Sequence, residues 1–443
     1  MSNIPYRILS LDGNGSWTLV QVRALQEIYG KDATGHDVLQ YFDLVAANSG
    51  GSLVTALLAA NWPLAKILSV FLDTPTRTRL FVKLSSMARL TNVIRQGARY
   101  STRQKYQGLA SFSGVDWATP LDQLADRVSI ALGKPIHFLF TASDCDRREL
   151  VIFRSNLVSK AAAAGYSVSI RLIDAIHAST TSPFSYFDEP TAAASREFSG
   201  RRFVGSDLSS VTNPILTAVT EILANRDSKI IRPMEILSIG SGSLALPVSL
   251  MADQKPPLYR AQESGSLAVT DETAADVSTY TAHLIATQPV SGSTETGTLI
   301  RLNPLIQPGF DYSGNARVPS IMGTTEASLK AFTALLKIDQ SALDADDVDL
   351  VLKFCDAWIN GAMANQSIRA NAKYECEIGY AKFEDAKAAW IRRVPLKAPI
   401  SVAKSASAKL SSTNVVPATA MSAAESVTDT IASSSFPTSA ATA

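Results

Sequence analysis

Between Tyr6 and Ala60 the chain twice repeats one grammar: a short apolar run, a glycine-bearing turn, then an apolar helical pattern. Residues 6–11 (YRILSL) read as a buried strand, Asp12-Gly13-Asn14-Gly15 as a turn, and Leu19, Val22, Ala24, Leu25 and Ile28 as the apolar side of a helix ending near Gly30. Residues 42–47 (FDLVAA) read as a second strand, Asn48-Ser49-Gly50-Gly51 as a turn, and residues 52–60 as an apolar helix. Strand–turn–helix units in series predict an α/β fold with a mainly parallel sheet covered by helices.

Further strands are expected at 135–142, 150–153, 201–205 and 235–240. Helices are expected at 171–179 and 213–225, where Pro214 can occupy the first turn. After about residue 245 the pattern changes to a polar loop over 251–275. Helical spacing follows near 277–287, 324–338, 345–363 and 366–393. Residues 404–443 are dominated by Ser, Ala and Thr, too poor in large apolar groups to offset the entropy of ordering them. The expected organisation is a catalytic-type α/β domain over 1–250, a mainly helical C-terminal extension over 251–400 and a disordered tail over 401–443.

Composition narrows the function classes. Hydrophobic residues make up 46% and charged residues 18% of 443, with a formal net charge of +1, so no global field favours nucleic acid. Cys145, Cys355 and Cys376 are odd in number and lack CxxC spacing, which argues against a disulfide framework or a zinc site. Asp144, Asp146 and Glu149 flank a predicted hairpin turn without the glycine of an EF-hand loop, so no metal is expected there. The N-terminus shows no signal-peptide pattern. The longest apolar region, 52–71, is interrupted by Asn61, Pro63 and Lys66. The expectation is a cytoplasmic protein whose membrane contact, if any, is peripheral. A candidate for that contact is Arg77–Lys105, where basic residues alternate with apolar ones and no acid occurs. A helix with an ordinary core face and solvated charges explains the same pattern.

Ser49 is the candidate nucleophile. A strand turning sharply into a helix pushes its side chain out of the sheet, and the small flanking positions of such an elbow are here Ala47 and Gly51. The Asp12–Gly15 turn also opens a helix and presents the amides of Gly13, Asn14 and Gly15, a nest suited to a phosphate or an oxyanion. Thr18 replaces the third glycine of a dinucleotide fingerprint and no Walker lysine follows, which weakens a nucleotide reading.

In these residues the chain resembles the patatin-like phospholipase family. Leu11-Asp12-Gly13-Asn14-Gly15-Ser16-Trp17-Thr18 is similar to its Asp-Gly-Gly-Gly-x-Arg-Gly loop, and Phe42–Gly51 to its Phe-Asp strand and serine elbow. Ala175–Pro183 is similar to its Ala-x-x-Ala-Ser/Thr-x-x-x-Pro run, Asn213-Pro214 to its Asn-Pro, and Ser238-Ile239-Gly240-Ser241-Gly242 to its late Ser-x-Gly-Thr-Gly. The five motifs occur in order over roughly residues 6–245. The resemblance implies a three-layer α/β/α domain and hydrolysis of lipid acyl esters by a Ser–Asp dyad, with the loop amides holding the oxyanion and no cofactor.

The chain departs from that pattern at two places. Trp17 and Thr18 replace the loop's arginine and last glycine, and the family's Asp-Gly-Gly aspartate aligns near Gly205 or Ser206, whereas the acid available is Asp207. A two-residue shift along a strand moves a carboxylate by about 6.5–7 Å. Asp207, the acid in this segment, is the base candidate, and that displacement makes a non-catalytic lipid-binding or scaffold protein with the same fold the alternative. A third reading is an esterase triad completed by His283.

Overall fold

The computed structural model describes residues 4–84, 98–155, 170–182, 186–193, 198–206, 212–224, 232–244, 275–289, 296–306, 309–310, 316–317, 325–335, 338, 344–371 and 375–396. The expected loop over most of 251–275, the expected tail over 401–443 and Asp207 lie outside them.

Strands β1 (Tyr6–Leu11), β2 (Leu44–Asn48), β3 (His137–Asp144), β4 (Glu149–Arg154), β5 (Thr191–Ala192), β6 (Arg202–Val204), β7 (Met234–Ile239), β8 (Ser243–Leu244) and β9 (Thr298–Leu302) include all those of the central sheet. Among the described residues that sheet has eight strands in the order β5-β6-β3-β2-β1-β7-β9, with β4 paired to β3. The pairs β3–β2, β2–β1, β1–β7 and β7–β9 are parallel, whereas β4, β6 and β5 join antiparallel.

Side chains on the parallel strands alternate between two cores. Leu9, Leu11, Val45, Ala47, Phe138 and Phe140 face one apolar cluster, while Ile8, Leu44, Ala46 and Leu139 face another. Burial on both faces explains why these strands read as continuous apolar runs rather than alternating ones. Helices α1 (Leu19–Tyr29), α2 (Gly35–Leu39), α3 (Ser49–Ala59) and α4 (Leu64–Leu72) contribute to the first cluster. The helix Ile215–Ala224 and the helix over 275–286 contribute to the second. The three-layer α/β/α expectation holds.

Residues after 250 do more than add helices. Strand β9 extends the central sheet beside β7, and helices Ala345–Ile359 and Phe383–Arg393 pack into the first cluster. The Trp390 indole N–H donates to the Tyr29 hydroxyl at 3.0 Å, and its ring stacks on Phe42 at 5.6 Å. The helix expected over 366–393 is shorter. Arg369–Ala370 and Cys376–Ile378 form an antiparallel hairpin, and Gly379, at φ +105°, precedes the helix that begins at Phe383. A positive φ there suits glycine and interrupts helical continuation.

Two strand ends converge beside β2. Strand β2 stops at Asn48, opposite Thr141 of β3. Strand β4 covers Leu139–Asp144 on one edge of β3, and β6 pairs with Ser143 and Asp144 on the edge that β2 vacates. The chain leaving β6 is thereby delivered next to the turn that carries Ser49.

Candidate active site

Ser49 lies at the junction of β2 and α3 with φ +46°. A non-glycine residue in the left-handed region is uncommon and costs of order 1–3 kcal/mol, so the surrounding structure must enforce it. The Ser49 amide donates to Ser179 Oγ at 2.9 Å, and Ser179 Oγ also hydrogen-bonds Ser52 Oγ at 2.9 Å. Ser179 ends the helix Leu172–Ser179, so the helical part of that run, Ala175–Ser179, braces the elbow.

The two glycines after Ser49 admit the neighbouring loop. A Cβ on Gly51 would lie 2.6 Å from the Leu11 carbonyl oxygen and 2.7 Å from that of Asp12. On Gly50 it would lie 2.0 Å from Thr18 Oγ1 and 2.6 Å from the Gly15 carbonyl oxygen. Ala47, the other small elbow position, is fully buried in the sheet. Sequence reading assigned the close approach to Ala47 and Gly51, and the structure adds Gly50.

The Asp12–Gly15 loop is held at both ends. Thr18 Oγ1 donates to the Gly15 carbonyl at 2.6 Å, and Gly15 adopts φ +52°. The Gly13 amide donates to the Thr212 carbonyl at 3.0 Å. That bond removes Gly13 from the three amides expected to face an oxyanion, because one N–H well engaged in the chain cannot serve both. Asn14 and Gly15 carry no such backbone bond among the described residues.

Ser49, Gly50, Gly15 and Ser16 open onto a pocket walled by Leu53, Phe71, Leu80, Phe81, Leu109 and Phe187. Arg77 and Lys105 also reach it, but their charges are turned to the protein. Arg77 Nη1 donates to the Phe71 and Leu72 carbonyls, both at 2.7 Å. Lys105 Nζ donates to the His177 carbonyl at 3.2 Å, to Thr180 Oγ1 at 3.1 Å and to Thr181 Oγ1. The cavity presented to a ligand is therefore mainly apolar, with the polar elbow and loop at one end.

Asn48 links the elbow to the chain leaving β6. Its Oδ1 accepts from Ser206 Oγ at 2.7 Å and from Thr141 Oγ1 at 3.1 Å. Ser206 is buried and is, with Gly205, one of the two positions near which the resemblance aligns the dyad aspartate. No histidine is among the pocket-lining residues described. His283 sits on the 275–286 helix, whose Ala282 and Ala286 pack in the second core cluster, away from the cluster that holds α3. His177 is buried, with Nε2 3.0 Å from the Thr102 carbonyl. Burial, then the charge of Lys105, hold its pKa well below the usual imidazole value. The Asp144 turn is a structural knot: its carboxylate accepts from the amides of Asp146 and Arg147 and from Arg201. Among the described residues no group of three or more His, Cys, Asp or Glu is arranged to hold a metal.

Residues 9–205 match the family model described as patatin-like phospholipase. Residues 9–205 are a patatin-like domain. Its matched span runs from β1 to the residue before Ser206, so it contains the elbow, the glycine loop and the pocket walls. No curated protein matches the chain. Among solved structures, VipD from Legionella pneumophila is similar at 10% identity over 80% of this chain and 67% of its own, with a TM-score of 0.31. Human GIVD cytosolic phospholipase A2, in complex with methyl gamma-linolenyl fluorophosphonate, is similar at 12% identity over 80% of this chain, with a TM-score of 0.37. The chain spans 57% of the length of that human protein.

Proposed function

We propose that this protein hydrolyses lipid acyl esters, with Ser49 as the nucleophile. The observation that carries the reading is a serine held at φ +46° on a strand-to-helix turn, at the polar end of an apolar pocket. Ser49 Oγ attacks the ester carbonyl and its proton passes to Asp207. The carbonyl oxygen becomes an oxyanion held by the amides of Asn14 and Gly15. Collapse of the tetrahedral intermediate expels the alcohol with a proton returned by the base, and water then attacks the acyl-serine by the same route. The acyl chain occupies the pocket between Phe71, Leu80, Phe81 and Leu109. Support for Asp207 as base is its place in the chain directly after Ser206, which is bonded to the residue preceding Ser49.

Exposed Arg79, Lys83 and Arg103 belong to segments that flank the pocket residues Leu80, Phe81 and Lys105, and residues 74–115 contain no acid. In this reading they seat the pocket on an anionic lipid surface. Among the described residues no helix is long and apolar enough to cross a membrane.

The test is labelling of the full chain with a fluorophosphonate probe, beside Ser49→Ala and Asp207→Asn. Labelling of the wild type, abolished by Ser49→Ala and strongly slowed by Asp207→Asn, is expected. A folded wild type that stays unlabelled would replace this reading with a patatin-like domain used for lipid binding or scaffolding.

A further inference from the structure

The late strand β9 carries a buried arginine aimed at the glycine loop. Arg301 Nη1 donates to Asp12 Oδ1 at 3.0 Å and Nη2 to Asp12 Oδ2 at 2.5 Å, and both residues are buried. Nη1 also donates to Ser238 Oγ at 2.7 Å. Ser238 and Arg301 are register partners on β7 and β9, so the guanidinium crosses β7 to reach the end of β1. The crossing needs Gly240: a Cβ there would lie 2.8 Å from Arg301 Nη2 and 2.2 Å from Asn303 Oδ1. The Ser238–Gly242 motif thus has a physical reason, which is to let one side chain pass over β7.

The pair fixes the residue on which the loop turns. The Asp12 amide donates to the Ile239 carbonyl at 3.1 Å, its carbonyl accepts from Gln21 Nε2 at 2.7 Å, and its carboxylate takes both arms of Arg301. Gln21 Nε2 is also 3.1 Å from Ser241 Oγ, a second tie to the end of β7. Asn14 and Gly15 follow two and three residues later, and the Gly15 carbonyl lies against Gly50. A buried ion pair is a poor way to gain stability, since apolar residues of similar volume often do as well. A planar, two-armed contact is a good way to fix a position.

We propose that Arg301 is a positioning residue of the acyl-transfer site, setting the Asp12 loop so that the Asn14 and Gly15 amides meet the oxyanion formed at Ser49. The proposal rests on the hydrolase reading above. It makes the active geometry depend on a strand far from the elbow in sequence, outside residues 9–205.

The test compares wild type, Arg301→Gln, Arg301→Lys and the doubly neutral Asp12→Asn/Arg301→Met, all as full chains. The readouts are fluorophosphonate labelling rate, kcat and KM on a short p-nitrophenyl ester normalised to folded protein, and the unfolding midpoint. A misplacement of about 1 Å can cost about 100-fold in rate. The expected result is a kcat and labelling rate about 100-fold down in Arg301→Gln and in the double variant, KM within about 3-fold, and partial recovery in Arg301→Lys. Should Arg301→Gln fail to fold, the double variant carries the comparison, because it leaves no uncompensated charge. Wild-type labelling with unchanged rates in the folded variants, whatever their midpoints, would overturn the positioning role and leave the hydrolase reading standing. An unlabelled wild type would overturn both.

Discussion

Gly50 and Gly15 touch backbone to backbone: a methyl group on Gly50 would sit 2.6 Å from the Gly15 carbonyl oxygen. Thr18 Oγ1 would be closer still, at 2.0 Å. Gly50→Ala therefore cannot be absorbed by a rotamer change and must move the loop that carries Asn14 and Gly15. Overpacking of this kind costs about 1–3 kcal/mol. The expected outcome is a lowered denaturant midpoint together with loss of fluorophosphonate labelling. A stable Gly50→Ala protein that labels normally would show that the loop and elbow are not so tightly coupled.

Ser179 supplies the acceptor for the Ser49 amide and a partner for Ser52. Ser179→Ala leaves a buried donor unsatisfied, at a cost of about 1–3 kcal/mol. Urea unfolding of the variant should show that loss. Ser49 should also label more slowly, because its left-handed backbone loses its restraint. An unchanged midpoint would indicate that water replaces the hydroxyl.

His177 predicts an acid-side loss of stability. Its folded pKa lies well below the usual value through burial and then Lys105, so between the folded and unfolded pKa the unfolded chain binds more protons. Stability should hold above about pH 6.5 and fall as the pH drops below it. Thermal unfolding from pH 8 to pH 5 should show a slope that is shallower in His177→Gln. Parallel slopes would mean that other groups dominate this window.

Phe81 is half-buried, with its ring 5.4 Å from Tyr100 and 6.0 Å from Phe187. Phe81→Ala removes apolar wall at the pocket. Losing roughly half the contact of a buried aromatic is worth about 1 kcal/mol, or about 5-fold in relative kcat/KM. Octanoyl and acetyl p-nitrophenyl esters should therefore be discriminated about 5-fold less by the variant. Equal loss on both esters would place the acyl chain elsewhere.

Exposed Arg79, Lys83 and Arg103 provide the charge for the proposed lipid contact. Each basic residue near an anionic surface contributes about 1 kcal/mol. Changing all three to Gln should weaken co-sedimentation with phosphatidylserine-containing vesicles by about 100-fold, with no effect on neutral vesicles. Undiminished binding would remove this face from the proposal.

Local patterns were legible where the physics is local. The two strand–turn–helix units, the elbow at Ser49 and the small positions Ala47 and Gly51 follow from apolar runs and turn residues adjacent in the chain. The helix expected over 366–393 was misread in its first half, because apolar spacing alone does not register the positive φ of Gly379 or the pairing of Ile368 with Ile378. Strand β9 escaped notice because it is short and carries Arg301, a charge that reads as surface until its partner is known.

The sequence by itself determined the class of fold and the two glycine-bearing turns, one of them carrying Ser49, since each is written in residues a few positions apart. Tertiary structure alone decided that Gly13 spends its amide on Thr212 and that Ser179 braces Ser49. It alone also placed Arg301 on Asp12, 289 positions away in the chain. Such pairings depend on which strands become neighbours. A buried polar group takes the partner that packing brings within reach, whatever its distance along the sequence.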